Sequence, residues 1–290
     1  MKPQEELNFL KGFIKLTEEQ ATKRNNLEAF CGGKSKTLLV DADSMLFNVV
    51  HSHSKDFKDT GKLDIFKQHE DFKKQIGAVC KSVELDGFKV GEVVYFFTTC
   101  RNNFRKKLLP SYKANRPKNQ MGLLVSLLKG YVIEQLELFD LPVFYSDTLE
   151  ADDLISQHDT PINDRIIVAI DKDLKQIEGA HFDYYKRKLT DPDGLPVMGW
   201  VELNSGENVY IQKKDFKGWS YTTKKEGFTM LMAQLLIGDN ADNIKGVDKI
   251  GVKKADKLLE GKNNFGALRA VFEAYNDKDR LRLNINLMKL

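Results

Sequence analysis

The stretch Thr37-Leu38-Leu39-Val40-Asp41 is a short apolar run that ends on a carboxylate. A second run, Val93–Thr98, is apolar nearly throughout, as expected of a β-strand that is buried on both faces. Two further runs, Val143–Tyr145 and Arg165–Ile170, follow along the chain, and the helical-looking segment 150–158 separates them. Strands that alternate with helices predict an α/β domain with a largely parallel sheet.

Carboxylates recur where these predicted strands and helices begin or end. Asp41 and Asp171 each directly follow a strand, and the carboxyl ends of neighbouring parallel strands lie side by side. Each acidic group on its own is equally consistent with a helix cap, because acids favour the first turn of a helix. Asp239 and Asp242 fit that explanation less well, since they lie near the end of an apolar helix. Together, eight carboxylates are expected to converge in one cleft: Asp41, Glu150, Asp152, Asp153, Asp171, Asp173, Asp239 and Asp242.

A cleft of this kind requires cations. Crowded carboxylates repel one another and raise one another's pKa values, and hard divalent cations relieve that repulsion. All-oxygen ligands suit Mg²⁺ or Mn²⁺, whereas Zn²⁺ prefers histidine or cysteine, and the three cysteines and five histidines of this chain are scattered. Two Mg²⁺ ions about 4 Å apart can activate water and stabilise the leaving oxygen of a phosphodiester. The carboxylates therefore indicate a nuclease.

Positive charge is concentrated in one segment, although the whole chain is nearly balanced, with 45 basic and 42 acidic residues. No acidic residue occurs between Val93 and Ile133, and Phe104 and Tyr112 are interleaved with the bases. A solvated protein face usually mixes charges of both signs, so this segment favours binding to a polyanion. Its basic residues are Arg101, Arg105, Lys106, Lys107, Lys113, Arg116, Lys118 and Lys129.

Length and composition exclude several classes of protein. A chain of 290 residues with 41% hydrophobic residues can bury a substantial core, so it is not disordered. The first twenty residues lack the apolar run of a signal peptide, and the longest apolar stretch is too short to span a bilayer. We therefore expect a soluble protein of a reducing compartment, the cytoplasm, with no membrane partner.

The flanking regions have patterns of their own. Residues 3–30 have the spacing of amphipathic helices, and the region 186–224 predicts a small β-hairpin from Val197–Leu203 and Asn208–Gln212. From residue 227 onward the chain predicts short helices at 228–238, 252–260, 264–275 and 278–288. We expect an α/β domain over residues 1–225 and a helical region over residues 226–290.

Five motifs in this order resemble the flap endonuclease or 5′-3′ exonuclease family, particularly its standalone bacteriophage members. The resemblance covers residues from about 37 to 260. The motifs are Leu39-Val-Asp-Ala-Asp43, Phe104-Arg-Lys-Lys-Leu-Leu-Pro-Ser-Tyr-Lys-Ala-Asn-Arg116, Glu150-Ala-Asp-Asp153, Asp171-Lys-Asp173 and Gly238-Asp-Asn-Ala-Asp-Asn-Ile-Lys-Gly-Val-Asp-Lys-Ile-Gly251.

This resemblance implies a PIN-like α/β nuclease core, a helical arch at about 101–130 and a C-terminal helix-hairpin-helix. It makes the eight carboxylates the ligands of two Mg²⁺ ions, which Mn²⁺ can replace, and implies K⁺ at the hairpin. Lys113 and Arg116 would be the basic pair that faces the scissile phosphate. The expected DNA contacts are Arg101, Arg105, Lys106, Lys107, Tyr112, Lys118, Gly246, Val247, Ile250, Gly251, Lys253 and Lys254.

The implied activity is metal-dependent hydrolysis of DNA at 5′ ends, flaps or nicks, in replication or repair, by a monomer. The implied substrate is DNA with a 5′ single-stranded end and adjoining duplex, and replication proteins are candidate partners. For a bacteriophage protein the compartment would be the host cytoplasm. Two alternatives stay open: a PIN-type ribonuclease, and a catalytically impaired DNA-binding member of the family.

The chain departs from the family pattern in one place. The family usually has an aspartate after the second core strand, and here the sequence Phe97-Thr-Thr-Cys-Arg101 contains no acid. Asp43 offers two interpretations. It either replaces the missing ligand, since residues two apart on an extended segment point the same way, or it caps the helix that follows.

Overall fold

The computed structural model describes residues 35–61, 64–86, 88–116, 120–187, 199–202, 208–211 and 218–290. The helices expected within residues 3–30 lie outside these ranges. No helix in the described ranges is long and apolar enough to cross a membrane. The strands are β1 Lys36–Asp41, β2 Val90–Thr98, β3 Val143–Ser146, β4 Arg165–Val168, β5 Gly179–Phe182, β6 Gly199–Glu202, β7 Asn208–Ile211, β8 Trp219–Thr222, β9 Gly238–Asp239 and β10 Ile244–Lys245.

A six-stranded sheet of order β3-β2-β1-β4-β5-β8 forms the centre of the molecule. Its strands pair in parallel except for β8, which runs antiparallel to β5. The predicted α/β class with a largely parallel sheet is therefore confirmed. The predicted hairpin is confirmed too, because β6 pairs antiparallel with β7.

Helices cover both faces of this sheet, as a parallel sheet requires. The helices are α1 Ala42–Ser52, α2 Ser54–Thr60, α3 Ile65–Leu85, α4 Phe104–Leu108, α5 Gln120–Leu138, α6 Ala151–Gln157, α7 Tyr184–Arg187, α8 Lys224–Ile237, α9 Val252–Leu259, α10 Asn264–Ala274 and α11 Lys278–Met288. Successive side chains of β1 point to opposite faces, so Leu38 and Val40 pack with α1, α3 and α5, whereas Leu39 packs with α6.

The C-terminal helices have an apolar cluster of their own. Leu231 and Leu235 of α8 pack with Ala255 of α9 and Val271 of α10. The boundaries of the helices predicted from residue 227 onward agree with the structure to within a few residues. Helix α8 begins immediately after Thr223, whose hydroxyl accepts a hydrogen bond from the backbone amide of Glu226. The apolar cluster thus starts just after the sheet's last strand.

Part of the segment at about 101–130, where a helical arch was expected, belongs to a core helix. Leu124 and Leu128 of α5 are buried in the core cluster with α1 and α3, so this helix packs on the sheet and does not arch over the cleft. The arch was placed at about 101–130 from the family resemblance alone, which does not say what α5 packs against. In the described ranges, the part of the segment that lies outside this core helix is α4 and the turns up to Arg116.

Candidate metal centre and nucleic-acid interface

The topology brings the predicted carboxylates to one edge of the molecule. Asp41 is the last residue of β1, Asp171 and Asp173 follow β4, and Glu150 immediately precedes α6. Asp239 ends β9, directly after α8. Asp41 and Asp171 follow parallel strands and Glu150 begins a helix, as the sequence predicted, whereas Asp239 ends a short strand that pairs antiparallel with β10. A small cavity, lined by Asp152, Asp173, Asp239 and Asp242, lies between the sheet and the C-terminal helices.

Three of these carboxyl groups have strongly raised pKa values. Burial, and then the charge of Asp43 and of Asp171, raises the pKa of Asp41 from 3.8 to about 7. Burial also raises the pKa of Asp152 to about 7, with repulsion from Glu150 and Asp153 as the next cause. Asp173 reaches about 7 for the same reason, burial first and then the neighbouring aspartates. Among the described residues, none of these three forms an ion pair, so no direct cationic partner offsets the repulsion on them.

Backbone and amide hydrogen bonds hold several of the carboxylates in place. An Asp171 oxygen accepts from the Asp173 amide at 2.9 Å, and an Asp239 oxygen accepts from the Ala241 amide at 2.8 Å. Gln234 of α8 donates to Asp173 at 2.6 Å. These bonds fix the side chains relative to one another across the junction between the sheet and the C-terminal helices.

Two other carboxylates are paired with the predicted basic pair. The Lys113 ammonium donates to both oxygens of Glu150 at 2.8 Å and lies 3.6 Å from Asp242. Arg116 donates to Asp242 at 2.7 Å. Burial opposes ionisation of Glu150, but the Lys113 charge and hydrogen bonds bring its pKa below the usual value. Lys113 and Arg116 therefore border the acidic cleft, and their contact with the scissile phosphate stays a prediction.

Lys113 has an unusual backbone conformation. Its φ of 56° lies in the left-handed region, which non-glycine residues seldom adopt. Its amide donates to the Asp242 carbonyl at 3.0 Å, and the flanking Asn115 side chain donates to the Asn240 carbonyl at 2.7 Å. The Asn243 side chain donates to the Ser111 carbonyl at 2.8 Å. The loop that carries Asp239 and Asp242 thus holds the segment that carries Lys113.

Two of the predicted DNA contacts and one predicted metal ligand are buried parts of the fold, which corrects the sequence interpretation. Arg105 is 1% exposed and binds both oxygens of Asp153, at 2.5 and 2.7 Å. It also donates to the Leu287 carbonyl, so it joins α4, α6 and α11. Tyr112 is 3% exposed and donates to Glu150 and Asp242. Arg105 and Tyr112 cannot reach DNA, and both oxygens of Asp153 are engaged by Arg105.

The exposure of the other predicted DNA contacts varies. Arg101, Lys106 and Lys107 point to solvent, and Lys118 lies outside the described residues. In the hairpin, Gly251, Lys253 and Lys254 are exposed, Val247 and Ile250 are half-buried, and Gly246 is buried. The hairpin turn requires Gly246, because a Cβ atom there would lie 2.3 Å from the backbone nitrogen of Gly238.

The cap interpretation of Asp43 is wrong, and its role as a replacement ligand stays a prediction. Asp41, not Asp43, occupies the cap position of α1. An Asp43 oxygen accepts from the Thr98 amide at 2.9 Å, and the other lies 2.6 Å from the Lys129 ammonium. The sequence analysis counted Lys129 among the bases but did not place it at the site. Gln234, which orients Asp173, was missed as well, because an amide in an apolar helix carries no local signal.

The donor set of the cleft fits a hard divalent cation. Its carboxylate oxygens are the ligands that Mg²⁺ prefers, and a cation would neutralise the charge that Asp41, Asp152 and Asp173 share. In the ranges that the structure describes, no three acidic, histidine or cysteine side chains converge as a preformed metal cluster. Glu150 and Asp242 instead hold Lys113 and Arg116.

The sheet, its flanking helices and the carboxylates at its strand ends define the PIN-like 5′ nuclease class of fold. Residues 36–199 match the 5′-3′ exonuclease, N-terminal resolvase-like domain, so the chain belongs to the 5′-3′ exonuclease family. The resemblance drawn from the five motifs is thereby confirmed.

Relatives and solved structures agree with this assignment. The chain is 28% identical over 204 residues to DNA polymerase I of Rhizobium leguminosarum, covering 67% of this chain but only 18% of that protein. It is 27% identical over 247 residues to a 5′-3′ exonuclease of Buchnera aphidicola subsp. Baizongia pistaciae, covering 81% of this chain and 68% of that one. The fold is similar to that of the bacteriophage T5 D15 protein, co-crystallised with metal ions, with a TM-score of 0.57 at 16% identity, covering 88% and 89% of the two chains.

Proposed function

We propose that this protein is a divalent-metal-dependent 5′ nuclease that hydrolyses DNA phosphodiesters at 5′ ends, flaps or nicks. The observation that carries the proposal is the set of three carboxyl groups with pKa values near 7, the buried Asp41 and the half-buried Asp152 and Asp173, at the same edge of the molecule as the Lys113–Arg116 pair. Family membership supports hydrolysis of nucleic acid as the reaction.

The carboxylates would hold the metal. Asp41, Asp152, Asp171 and Asp173 form no ion pair among the described residues, and Asp239 lies 3.9 Å from the Lys172 ammonium. We propose all five as ligands of two Mg²⁺ ions, or of Mn²⁺ in their place. When bound, such ions activate water and stabilise the leaving oxygen of a phosphodiester. Glu150 and Asp242 also belong to the proposed ligand set. Asp153 is the member of the predicted set with least support, since Arg105 holds it.

The basic pair would act on the substrate. Lys113 is 20% and Arg116 56% exposed, so both charges are accessible from the cleft mouth. A phosphate at the cleft would be bound by Lys113 and Arg116, whose positive charges are already held next to the carboxylates. The same charges would stabilise the negative charge that develops on the phosphate in the transition state. We assign Lys113 and Arg116 to this role.

The hairpin would bind the adjoining duplex. Backbone amides at the start of α9 can face a phosphate, and the exposed Lys253 and Lys254 add positive charge there. We propose that Arg101, Lys106 and Lys107 contact the 5′ strand on the other side of the cleft. K⁺ at the hairpin, action as a monomer in the cytoplasm and contact with replication proteins complete the proposal.

Cleavage of labelled substrates tests the function. The full chain would be incubated with 5′-flap, nicked-duplex, single-stranded DNA and single-stranded RNA substrates, with Mg²⁺ or with a chelator. The proposal predicts Mg²⁺-dependent cleavage that favours flaps or nicks over single strands. Cleavage of RNA alone would indicate a PIN-type ribonuclease, and tight flap binding without cleavage would indicate an impaired DNA-binding protein.

A further inference from the structure

Lys129 lies at the meeting point of four elements that border the acidic cleft. Its ammonium is 2.6 Å from Asp43 at the start of α1 and donates to the Thr98 carbonyl at the end of β2, at 2.7 Å. The Thr98 amide donates to the second oxygen of Asp43 at 2.9 Å. The Thr98 hydroxyl oxygen in turn accepts from the Ala151 amide at 2.9 Å, one residue from Glu150. Helix α5 therefore reaches the carboxyl end of the sheet through Lys129.

The Lys129 ammonium is partly removed from solvent. The Lys129 side chain is 16% exposed and that of Asp43 is 25% exposed. A half-buried ion pair is screened less by water and salt than a surface pair. Asp43 lies only two residues from Asp41, so without Lys129 its charge would be added to that of the neighbouring carboxylates. Lys129 thus offsets the negative charge that Asp43 would otherwise add to the cleft.

We propose that the Lys129 ammonium is a permanent positive charge beside the metal site. It pairs with Asp43, so that this carboxylate does not act as a metal ligand. Asp41 is then the ligand that the β1–α1 junction contributes. Lys129 is a positioning residue, because it acts through Asp43 and touches neither substrate nor metal. The inference rests on the proposed metal dependence and goes beyond it, since it assigns a role to a residue of the core helix α5.

Removing Lys129 and removing Asp43 should change the affinity for a divalent cation in opposite directions, which makes the proposal testable. Replacing Lys129 by methionine leaves the Asp43 charge unpaired beside the cleft, so a divalent cation should bind more tightly. Replacing Asp43 by asparagine leaves the ammonium unpaired, and a divalent cation should bind more weakly. The double variant removes one charge of each sign and should return to the wild-type affinity. A pair that only stabilises the fold would shift both single variants in the same direction.

Binding of Mn²⁺ to the full chain without DNA, followed by electron paramagnetic resonance of free Mn²⁺, measures this directly. We expect the dissociation constant to fall roughly threefold to tenfold in Lys129→Met and to rise by a similar factor in Asp43→Asn. Lys129→Arg keeps the charge and should stay close to wild type. Lys81→Met is the matched control, because Lys81 is exposed on α3, which carries none of the proposed site residues.

The outcomes separate this inference from the proposed function. Shifts of the same sign in Lys129→Met and Asp43→Asn, or no shift in either, would overturn the role of Lys129 while wild-type binding of Mn²⁺ still supports a metal site. Wild-type protein that binds no Mn²⁺ would overturn the proposed metal dependence itself. Thermal unfolding of each variant checks that it is folded. If Lys129→Met does not fold, the expected loss of Mn²⁺ affinity in Asp43→Asn still tests the proposal.

Discussion

Lys113 combines positive charge, a left-handed backbone and direct contact with the acidic cleft. Strained backbone positions cost free energy and persist only where the surroundings hold them, and they cluster at functional sites. Here the surroundings are the Asp242 carbonyl and the turn that carries it. The resemblance implied a role for Lys113 from its motif, but its φ of 56° and its partner Glu150 are visible only in the structure.

Lys113→Met should therefore slow the chemical step. The variant keeps the aliphatic part of the side chain and loses the charge that would stabilise the transition state, so we expect the single-turnover rate to fall on the order of 10²-fold or more. Quench-flow with a 5′-flap substrate measures the rate, and Lys81→Met on the exposed face of α3, which carries none of the proposed site residues, is the control. A loss of affinity with an unchanged rate would assign Lys113 to substrate positioning instead.

Two aspartates of the predicted ligand set should respond oppositely to the same substitution. Asp173→Asn removes a charge that burial and neighbouring aspartates disfavour, so the metal-free protein should be equally stable or more stable, while cleavage is lost. Asp153→Asn removes the carboxylate that binds the buried Arg105 and leaves it only Glu150, 3.7 Å away, and breaking a buried pair typically costs about 3–5 kcal/mol of unfolding free energy. Urea unfolding in a chelator compares the two. Equal destabilisation would contradict the distinction between ligand and structural pair.

This distinction shows where sequence reasoning stops at the residue scale. Glu150, Asp152 and Asp153 are adjacent acids of similar appearance, and nothing local separates them. Asp153 faces a guanidinium that α4 delivers from outside that motif, and Asp43 faces an ammonium that α5 delivers. Long-range partners of this kind cannot be derived from spacing along the chain.

Among the elements, the hairpin after α8 depends on glycine at Gly246 but not at Gly251. A Cβ atom on Gly246 would meet backbone atoms of Gly238, Ile237 and Leu236 at 2.3 to 2.4 Å, whereas nothing lies within 4 Å of a Cβ atom on Gly251. We expect Gly246→Ala to lower the melting temperature markedly and Gly251→Ala to leave it nearly unchanged. Calorimetry of both variants checks this, and equal melting temperatures would mean that the turn is not close-packed.

Element types were predictable where the apolar pattern was strong. β1 and β2 were read correctly because each is a nearly continuous apolar run, and the helices after residue 227 were read correctly as well. β5 and β8 were not predicted. The sequence Gly179-Ala-His-Phe182 is entirely buried between two strands, so it carries no alternation, and glycine and histidine are weak strand formers. The burial of α5 depended on which surface it met, and its own sequence does not specify that.

At the scale of the whole molecule, unbalanced charge makes stability depend on pH. Asp41, Asp152 and Asp173 have pKa values of about 7 in the folded protein, against about 3.9 for an unfolded aspartate. Between these values the folded state holds more protons, so the free energy of unfolding falls as pH rises. Burial lowers the pKa of His181 to about 4, so below about pH 6.5 this group makes the free energy of unfolding rise with pH. It is one group, whereas three carboxyl groups act in the other direction.

We therefore expect the melting temperature of the metal-free protein to decrease between about pH 5 and pH 7. Saturating Mg²⁺ should remove most of this decrease, because a cation bound at the cleft balances the ionised carboxylates. Thermal unfolding across this range, with chelator or with Mg²⁺, measures both slopes. A melting temperature that rises with pH in the chelator would mean that the three carboxylates are balanced by the protein.

The central claim is that the carboxylates at the strand ends, together with Lys113 and Arg116, form a metal-dependent centre that cuts DNA at a 5′ structure. Single-turnover cleavage of a 5′-flap substrate, titrated with Mg²⁺, tests it most directly when wild type and Asp173→Asn are compared. We predict cleavage near the flap junction that saturates with Mg²⁺ in wild type and is absent in the variant, which still binds the flap. Cleavage that persists in a chelator, or equal cleavage by both proteins, would contradict the account.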